Sequence, residues 1–451
     1  MTRTTTIRLW DAADPARHGG KAAALATLIR HGLPAPDGLV LPADLTDAQV
    51  TEAIDDVLTW AASTNTVHGF VARSSAPAED GAQASFAGLY ASRFAPASSD
   101  ALLDAIRDVR AAATAPAIRA YAALRNITTP PGVAVLIQRA IRPYASGVLA
   151  AEIDHGTIRR WTLEAVHGLA IPVVSGTQRG ERHHSDSETP VPAAQSEIIL
   201  PGTATELRQP PGEWITLPGI EDRPGLGAKI RTSGAGLLHL YPPNTDQHRP
   251  VLTAALRDQL VETAAIVAAV LHHTSIDIEW AATPDGAVHI LQARPLTSPI
   301  PEQPTLTHSA GTIWKGIPAA PGRATGRAHH LAAEASRTAR PAGDDAVILC
   351  ENLGTNALDA LLHNPAAIAA TRGGPLSHAA IVARELGIPC ATALPDDLLT
   401  IPAGIRITVD GTAGTAELAA ARGVDARAFV PDTAAAKAES PAAGGARAAP
   451  D

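Results

Sequence analysis

Two groups of residues in this 451-residue sequence could do chemistry. The first is His378, in the run Arg372-Gly373-Gly374-Pro375-Leu376-Ser377-His378, followed by apolar residues at 379, 380, 382, 383 and 386. The two glycines and the proline predict a tight turn, and the apolar spacing predicts a helix with Ser377 as its N-cap. Gly387 supplies a left-handed stop, and Pro389 bars the helix from resuming. His378 then lies on the first turn, beside free N–H groups and the positive end of the helix dipole. That field lowers the imidazole pKa and leaves the ring neutral and nucleophilic near pH 7, while the same N–H groups suit a phosphate. A histidine so placed could attack phosphorus and carry the phosphoryl group. It could equally decorate a helix start.

The second group lies in 275–295, where two alternating stretches flank Pro284-Asp285-Gly286 and predict a hairpin. A period of two puts Asp277 and Glu279 on one face, and Gln292 and Arg294 on one face of the partner strand. If those faces coincide, three oxygen ligands and a guanidinium converge. Such a set suits Mg²⁺ carried by a nucleotide, with the arginine on a phosphate. A solvated sheet face with a cross-strand Glu–Arg pair has the same spacing.

Upstream elements supply further cations. His18-Gly19-Gly20-Lys21 opens a helix of about a dozen residues that ends near Gly32, ahead of a proline-directed turn into a strand. A cation at a helix start opposes the dipole, and an anion bridging Lys21 and the local N–H groups would remove the conflict. A solvated surface lysine fits the same pattern, and the spacing is not that of a Walker A loop. A short strand then delivers Arg73 into the small-residue stretch 74–88, whose planar fork of donors suits phosphate oxygens. Residues 133–138 and 146–150 read as two strands, and 251–273 as an amphipathic helix through Leu256, Leu260, Ala264, Ile266 and Val270.

These stretches together resemble the phosphoenolpyruvate-utilising enzymes, the family of pyruvate phosphate dikinase, phosphoenolpyruvate synthase and rifampicin phosphotransferase. The carriers are Gly373-Gly374 with Ser377 to Pro389, Gly19-Gly20-Lys21, Arg73-Ser74-Ser75-Ala76 with Glu79-Asp80 and Ser85-Phe86-Ala87-Gly88, Asp277 to Ala281, and Leu291 to Pro295. The resemblance covers most of residues 15–420 and implies an α/β (α+β) fold. An ATP-grasp nucleotide-binding domain (1–298) would lead through a Pro-rich linker (299–312) to a swivelling β/β/α phosphohistidine domain (313–425) and a disordered Ala/Pro-rich tail (426–451). It implies that His378 is transiently phosphorylated and that Lys21 and Arg73 bind ATP phosphates, with Arg73 also stabilising transferred charge. By the same match Gln138 lies near the nucleotide, Asp277, Glu279 and Gln292 lie on the Mg²⁺ side, and Glu279, Gln292 and Arg294 contact the nucleotide. Two positions depart from the pattern. Leu376 stands where the family usually has Thr, and Ala170-Ile171 replace Gly-Glu in the segment 163–176. Residues 177–250 match nothing in the pattern.

Bulk properties exclude several classes. A net charge of −9 argues against a general nucleic-acid binder. No apolar run reaches the ~18 residues of a membrane span, and the first ten residues lack the apolar core of a secretory signal. Cys350 and Cys390 alone suit a reducing cytoplasm. The expectation is a cytoplasmic ATP- and Mg²⁺-dependent phosphotransferase that phosphorylates its own His378, from the β-phosphate with release of AMP and phosphate, and hands the group to a small-molecule acceptor. The resemblance also leads us to expect neither a pyruvate-binding barrel nor a large drug-binding insertion on this chain. The alternative is therefore the phosphoryl-donor subunit of a split system whose acceptor domain is on a partner protein.

Overall fold

The computed structural model describes residues 6–63, 68–81, 84–128, 132–203, 205–208, 214–216, 227–232, 236–241, 250–301, 313–331 and 344–419. The expected tail and most of the expected linker lie outside them. Strands of the described residues form four sheets.

The first is five-stranded and antiparallel, in the order Ile7–Arg8, Gly38–Leu41, Ala134–Arg139, Phe70–Ser75, Ser92–Ala95. Helix Asp47–Ala62, whose Thr46 and Gln49 form a reciprocal capping box, buries Val50, Ile54, Val57 and Trp60 against it. Helix Ser99–Ala112 adds Leu102, Ile106 and Val109 to the same core. This layer makes Phe70–Ser75 a central strand, so Arg73 has little freedom.

The second sheet is six-stranded and antiparallel, in the order Val288–Arg294, Ser275–Ala282, Ala145–Asp154, Thr157–His167, Glu181–His184, Ser187–Val191. Helices Gly20–Arg30 and Ala254–Leu271 cover one face. Within the latter the buried stripe runs Leu256, Leu260, Ala264, Val267, Ala268. Ile266, expected on that stripe, is 53% exposed, because the i+3/i+4 spacing from Ala264 selects 267 and 268 instead. The two strands expected at 133–138 and 146–150 both form, but they belong to different sheets.

Part of the stretch that resisted placement in the sequence forms the third sheet. Its order is Ile198–Pro201, Leu237–Tyr241, Gly227–Thr232, Trp214–Thr216.

The fourth sheet is eight-stranded and mixed, drawn from residues 313–418. Its parallel centre is Arg323–His330, Ala346–Cys350, Ala367–Ala370 and Cys390–Thr392. Helices Thr355–Leu361 and His378–Leu386 pack on one face through Leu358, Leu361, Ala379, Val382 and Ala383. Gly387 caps the second helix with φ +70°, in the left-handed region that favours glycine. Ser377 sits at the N-cap position, but its hydroxyl donates to the Gly374 carbonyl at 2.9 Å and makes no cap bond. The hydroxyl is spent on closing the glycine turn, which leaves the first-turn N–H groups without a side-chain partner there. Both cysteines are buried and free, and burial pushes both thiols up, Cys390 to about 12, so they are packing groups.

Candidate active site

Lys21 is the second residue of helix Gly20–Arg30, whose last turn is followed by Gly32. It is not a surface lysine. Its ammonium is 4% exposed, and donates to Glu79 Oε1 at 2.5 Å and to the Ser74 carbonyl at 2.9 Å. Burial pushes the Glu79 carboxyl up, and the Lys21 charge works against that shift.

The predicted hairpin forms with register Asp277↔Arg294 and Glu279↔Gln292, so the two faces do coincide. Arg294 donates to Asp277 Oδ2 through Nε (2.9 Å) and Nη2 (2.8 Å), and reaches Asp80 Oδ1 at 3.4 Å through Nη1. Burial would weaken the Arg294 charge, but Asp277, Asp80 and Glu279 hold it above the ordinary guanidinium value. Asp277 is raised by burial, which outweighs Arg294.

Arg73 crosses from the first sheet to the second. It donates to the Leu291 carbonyl, to Gln292 Oε1 at 2.7 Å and to Glu279 Oε2 at 3.5 Å. Gln292 in turn donates to Asp80 Oδ1 at 2.7 Å. Glu279 feels burial pushing it up, yet Arg73, His378, Arg294 and Lys21 together bring it below the usual carboxylate range.

His378 comes from the fourth sheet's helix and closes this cluster. Its imidazole lies against Gly88, where a Cβ would fall 2.6 Å from Nδ1. Loss of water lowers its pKa to about 4. Glu279 pulls the value up, and Arg294 and Lys21 push it down. The expectation of a neutral ring is met, but burial and neighbouring cations are the causes found here. Lys21, Arg73, Glu279, Gln292, Arg294, Gln138 and His378 all line one cavity of about 280 Å³. Gln138, whose amide donates to the Pro36 carbonyl at 2.8 Å, stands among apolar walls that include Val71, Phe94, Ile141, Ala281 and Leu291. Ala170 and Ile171 line the same cavity, so the altered segment forms an apolar wall where the family pattern has Gly-Glu.

No cluster of three or more His, Cys, Asp or Glu residues among the described ones is arranged to hold a metal alone. Asp277 is turned to Arg294 through Oδ2, and only its Oδ1 is left over. That atom and Asp80 Oδ2 are buried acceptors without a hydrogen-bond partner. Neither Asp277 nor Asp80 lines the cavity, so of the expected Mg²⁺ side Glu279 and Gln292 are the residues that face it.

Several residues in this arrangement lay inside the quoted motifs without an assigned role: Glu79 for Lys21, Asp80 for Gln292 and Arg294, Gly88 for His378. Sequence spacing gave no sign of the contacts around Glu385 and Glu164. The Glu385 carboxylate accepts from the Ser85 N–H (3.0 Å) and the Tyr121 hydroxyl. Glu164, pushed up to about 7 by burial against the pull of Arg182, Arg384 and Arg179, lies so close to Gly374 that any Cβ there would collide with it.

A largely apolar cavity between two antiparallel sheets, with Lys21, Arg73, Arg294 and a histidine from the fourth sheet's helix in its lining, defines an α/β protein with a site that suits a nucleotide. Comparison with known families agrees. Residues 41–198 match the pyruvate phosphate dikinase AMP/ATP-binding domain, and residues 343–414 match the PEP-utilising enzyme mobile domain. The chain is 27% identical over 353 residues to phosphoenolpyruvate synthase of Pyrococcus furiosus, covering 76% of this chain and 40% of that one. It is 26% identical over 381 residues to phosphoenolpyruvate synthase of Aeropyrum pernix, covering 79% and 45%. A probable phosphoenolpyruvate synthase of Archaeoglobus fulgidus is 25% identical over 352 residues, with 76% and 42% covered. This chain belongs to the PEP-utilising enzyme family. It spans less than half the length of these relatives. No helix among the described residues is long and apolar enough to cross a membrane.

Proposed function

We propose that this chain is an ATP-dependent phosphotransferase that phosphorylates its own His378 and passes the group to a small-molecule acceptor. The observation that carries the reading is a neutral imidazole lining the same cavity as Lys21, Arg73 and Arg294. A lone pair on a neutral ring nitrogen is available to attack phosphorus, whereas an imidazolium has none to offer.

In this reading Lys21, Arg73 and Arg294 take the phosphates. Glu279 and Gln292 form the side that would hold Mg²⁺, whose charge offsets that of the phosphate oxygens. Gln138 and the apolar wall opposite take the nucleoside. The ring nitrogen of His378 forms an N–P bond to the β-phosphorus as the α–β bridging P–O bond breaks, its electron pair leaving on AMP. Water then attacks the terminal phosphorus of the resulting pyrophosphoryl-histidine. Inorganic phosphate and phosphohistidine remain. Arg73, bonded to both Gln292 and Glu279, is placed to stabilise the charge that moves.

A second reading is the donor half of a split system, with the acceptor site on another protein. The 40% coverage of the Pyrococcus furiosus relative favours keeping it. One experiment tests the shared first step. The pure chain is incubated with Mg²⁺ and ATP labelled at the β or γ position, beside His378→Ala. Acid-labile label from the β position on the wild type alone, with AMP released, is expected. Label on neither protein overturns the carrier function, and γ-label retained after release of ADP overturns the attack at the β-phosphorus.

A further inference from the structure

One loop touches both ends of the His378 helix. His378 and Glu385 are seven residues apart, two turns along one face of helix His378–Leu386, a rise of about 10.5 Å. Gly88 abuts the His378 imidazole, and the Ser85 N–H donates to the Glu385 carboxylate at 3.0 Å. Those two loop residues are three apart, and the Leu89 N–H turns back to donate to the Phe86 carbonyl at 3.1 Å. The loop therefore reaches both positions of the helix through a turn.

Its middle is unusual. Phe86 has φ +52°, in the left-handed region where an aromatic residue is strained, and its side chain is fully buried. The Phe86 ring meets Tyr121 edge-on with centroids 4.8 Å apart. The Tyr121 hydroxyl closes the circuit by donating to the same Glu385 carboxylate. Arg125, just after the end of helix Pro116–Leu124, donates to the Glu385 carbonyl at 2.5 Å. The loop's other surface belongs to the cavity, since Phe86, Ala87 and Gly88 line it. Strain of this kind persists only where the surroundings over-determine it, and here they are the helix on one side and the cavity on the other.

We propose that the Ser85–Gly88 loop, with Tyr121 and Glu385, is a template that positions His378 over the cavity and transmits nucleotide occupancy to its helix. Phe86, Tyr121 and Glu385 are positioning residues, acting on the reaction through His378. The proposal rests on the nucleotide reading above.

Hydrogen–deuterium exchange on the full chain tests it, with and without Mg²⁺ and the β,γ-imido analogue of ATP. In the wild type the analogue protects both 84–90 and 378–386. In Tyr121→Phe and Glu385→Ala it protects 84–90 alone. Glu385→Gln keeps an acceptor for the Ser85 N–H and presents an amide N–H that can donate to the Tyr121 oxygen, and restores at least half of the helix protection. In single-turnover labelling, Tyr121→Phe forms phosphohistidine about tenfold more slowly, as expected for the loss of one hydrogen bond to a charged group. The half-saturating ATP concentration moves less than twofold. Protection confined to 84–90 in the wild type, or helix protection in Tyr121→Phe equal to wild type, overturns the template while the ATP site stands. Protection in neither segment overturns both.

Discussion

The contact between Gly88 and His378 gives the sharpest test of the docked geometry. An alanine at 88 would place its Cβ 2.6 Å from His378 Nδ1 and 2.8 Å from its Cβ and Cγ, where ordinary contact begins at 3.4 Å. The imidazole must retreat by about 0.8 Å, the difference between 3.4 and 2.6 Å. A displacement near 1 Å at a reacting group can cost about 100-fold in rate, equivalent to about 2.7 kcal/mol. The backbone adds about 1 kcal/mol, because Gly88 has φ +71°. Gly286→Ala separates the two effects: it has φ +85° and nothing within 4 Å of the added carbon. Single-turnover formation of acid-labile phosphohistidine is the assay, with ATP affinity measured alongside. Gly88→Ala should label about 100-fold more slowly, and Gly286→Ala at the wild-type rate. Labelling of Gly88→Ala within threefold of wild type would refute the docked position of His378.

Other perturbations follow from the buried charges. Glu164 is raised to about 7 from 4.5, so the folded state binds the extra proton between those values and the wild type loses stability as pH rises through 7. Glu164→Gln, which mimics the neutral acid, should match wild type in urea at pH 5 and exceed it by about 3 kcal/mol at pH 8.5, whereas a pH-independent gap would contradict the shift. His378 is lowered to about 4, so the labelling rate should stay flat from pH 8 to 5 and fall only below that; a midpoint near 6.5 would mean a solvated ring. Lys21→Ala strands the buried Glu79 carboxylate and should cost about 3–5 kcal/mol in unfolding measurements. Adding Glu79→Gln should recover most of that stability without restoring ATP affinity.

Patterns with a short range were legible in the sequence. The His378 helix, its Gly387 stop and the 275–295 hairpin follow from spacing and turn chemistry within twenty residues. Contacts between distant segments were not. Period two put Asp277 and Glu279 on one face, but only the register joins Asp277 to Arg294 and Glu279 to Gln292. Glu79 and Asp80 stood in the motif, yet nothing local says that one neutralises Lys21 and the other holds Gln292. The burial that lowers the His378 pKa comes from segments almost 300 residues away, and a helix dipole is the only cause the local sequence offers. Residues 198–241 hid a sheet because its strands are short and separated by Pro- and Gly-rich stretches.

The departure at Leu376 has a physical account in the sheet beneath it. Paired registers line up Gln292, Glu279, Val148, Glu164 and Arg182 across five neighbouring strands. At about 4.8 Å per strand, Glu279 and Glu164 stand about 10 Å apart with an apolar gap at Val148. Leu376 is 4% exposed and fills that gap, clustered with Val148, Ala150, Val166, Val173 and Ile300. It seats the glycine turn by hydrophobic contact and keeps the Glu279 cavity apart from the Glu164 cluster. On its other side Leu376 lines a small cavity with Asp277, Arg294, Ser298 and Arg384. Leu376→Thr removes apolar volume from this cluster, which should cost about 2–4 kcal/mol in urea unfolding. Leu376→Met, close in volume, should cost less than about 1.5 kcal/mol. Equal stability of the Thr variant and wild type would show that the hydroxyl finds water or a partner, and that the turn is not held by this apolar socket.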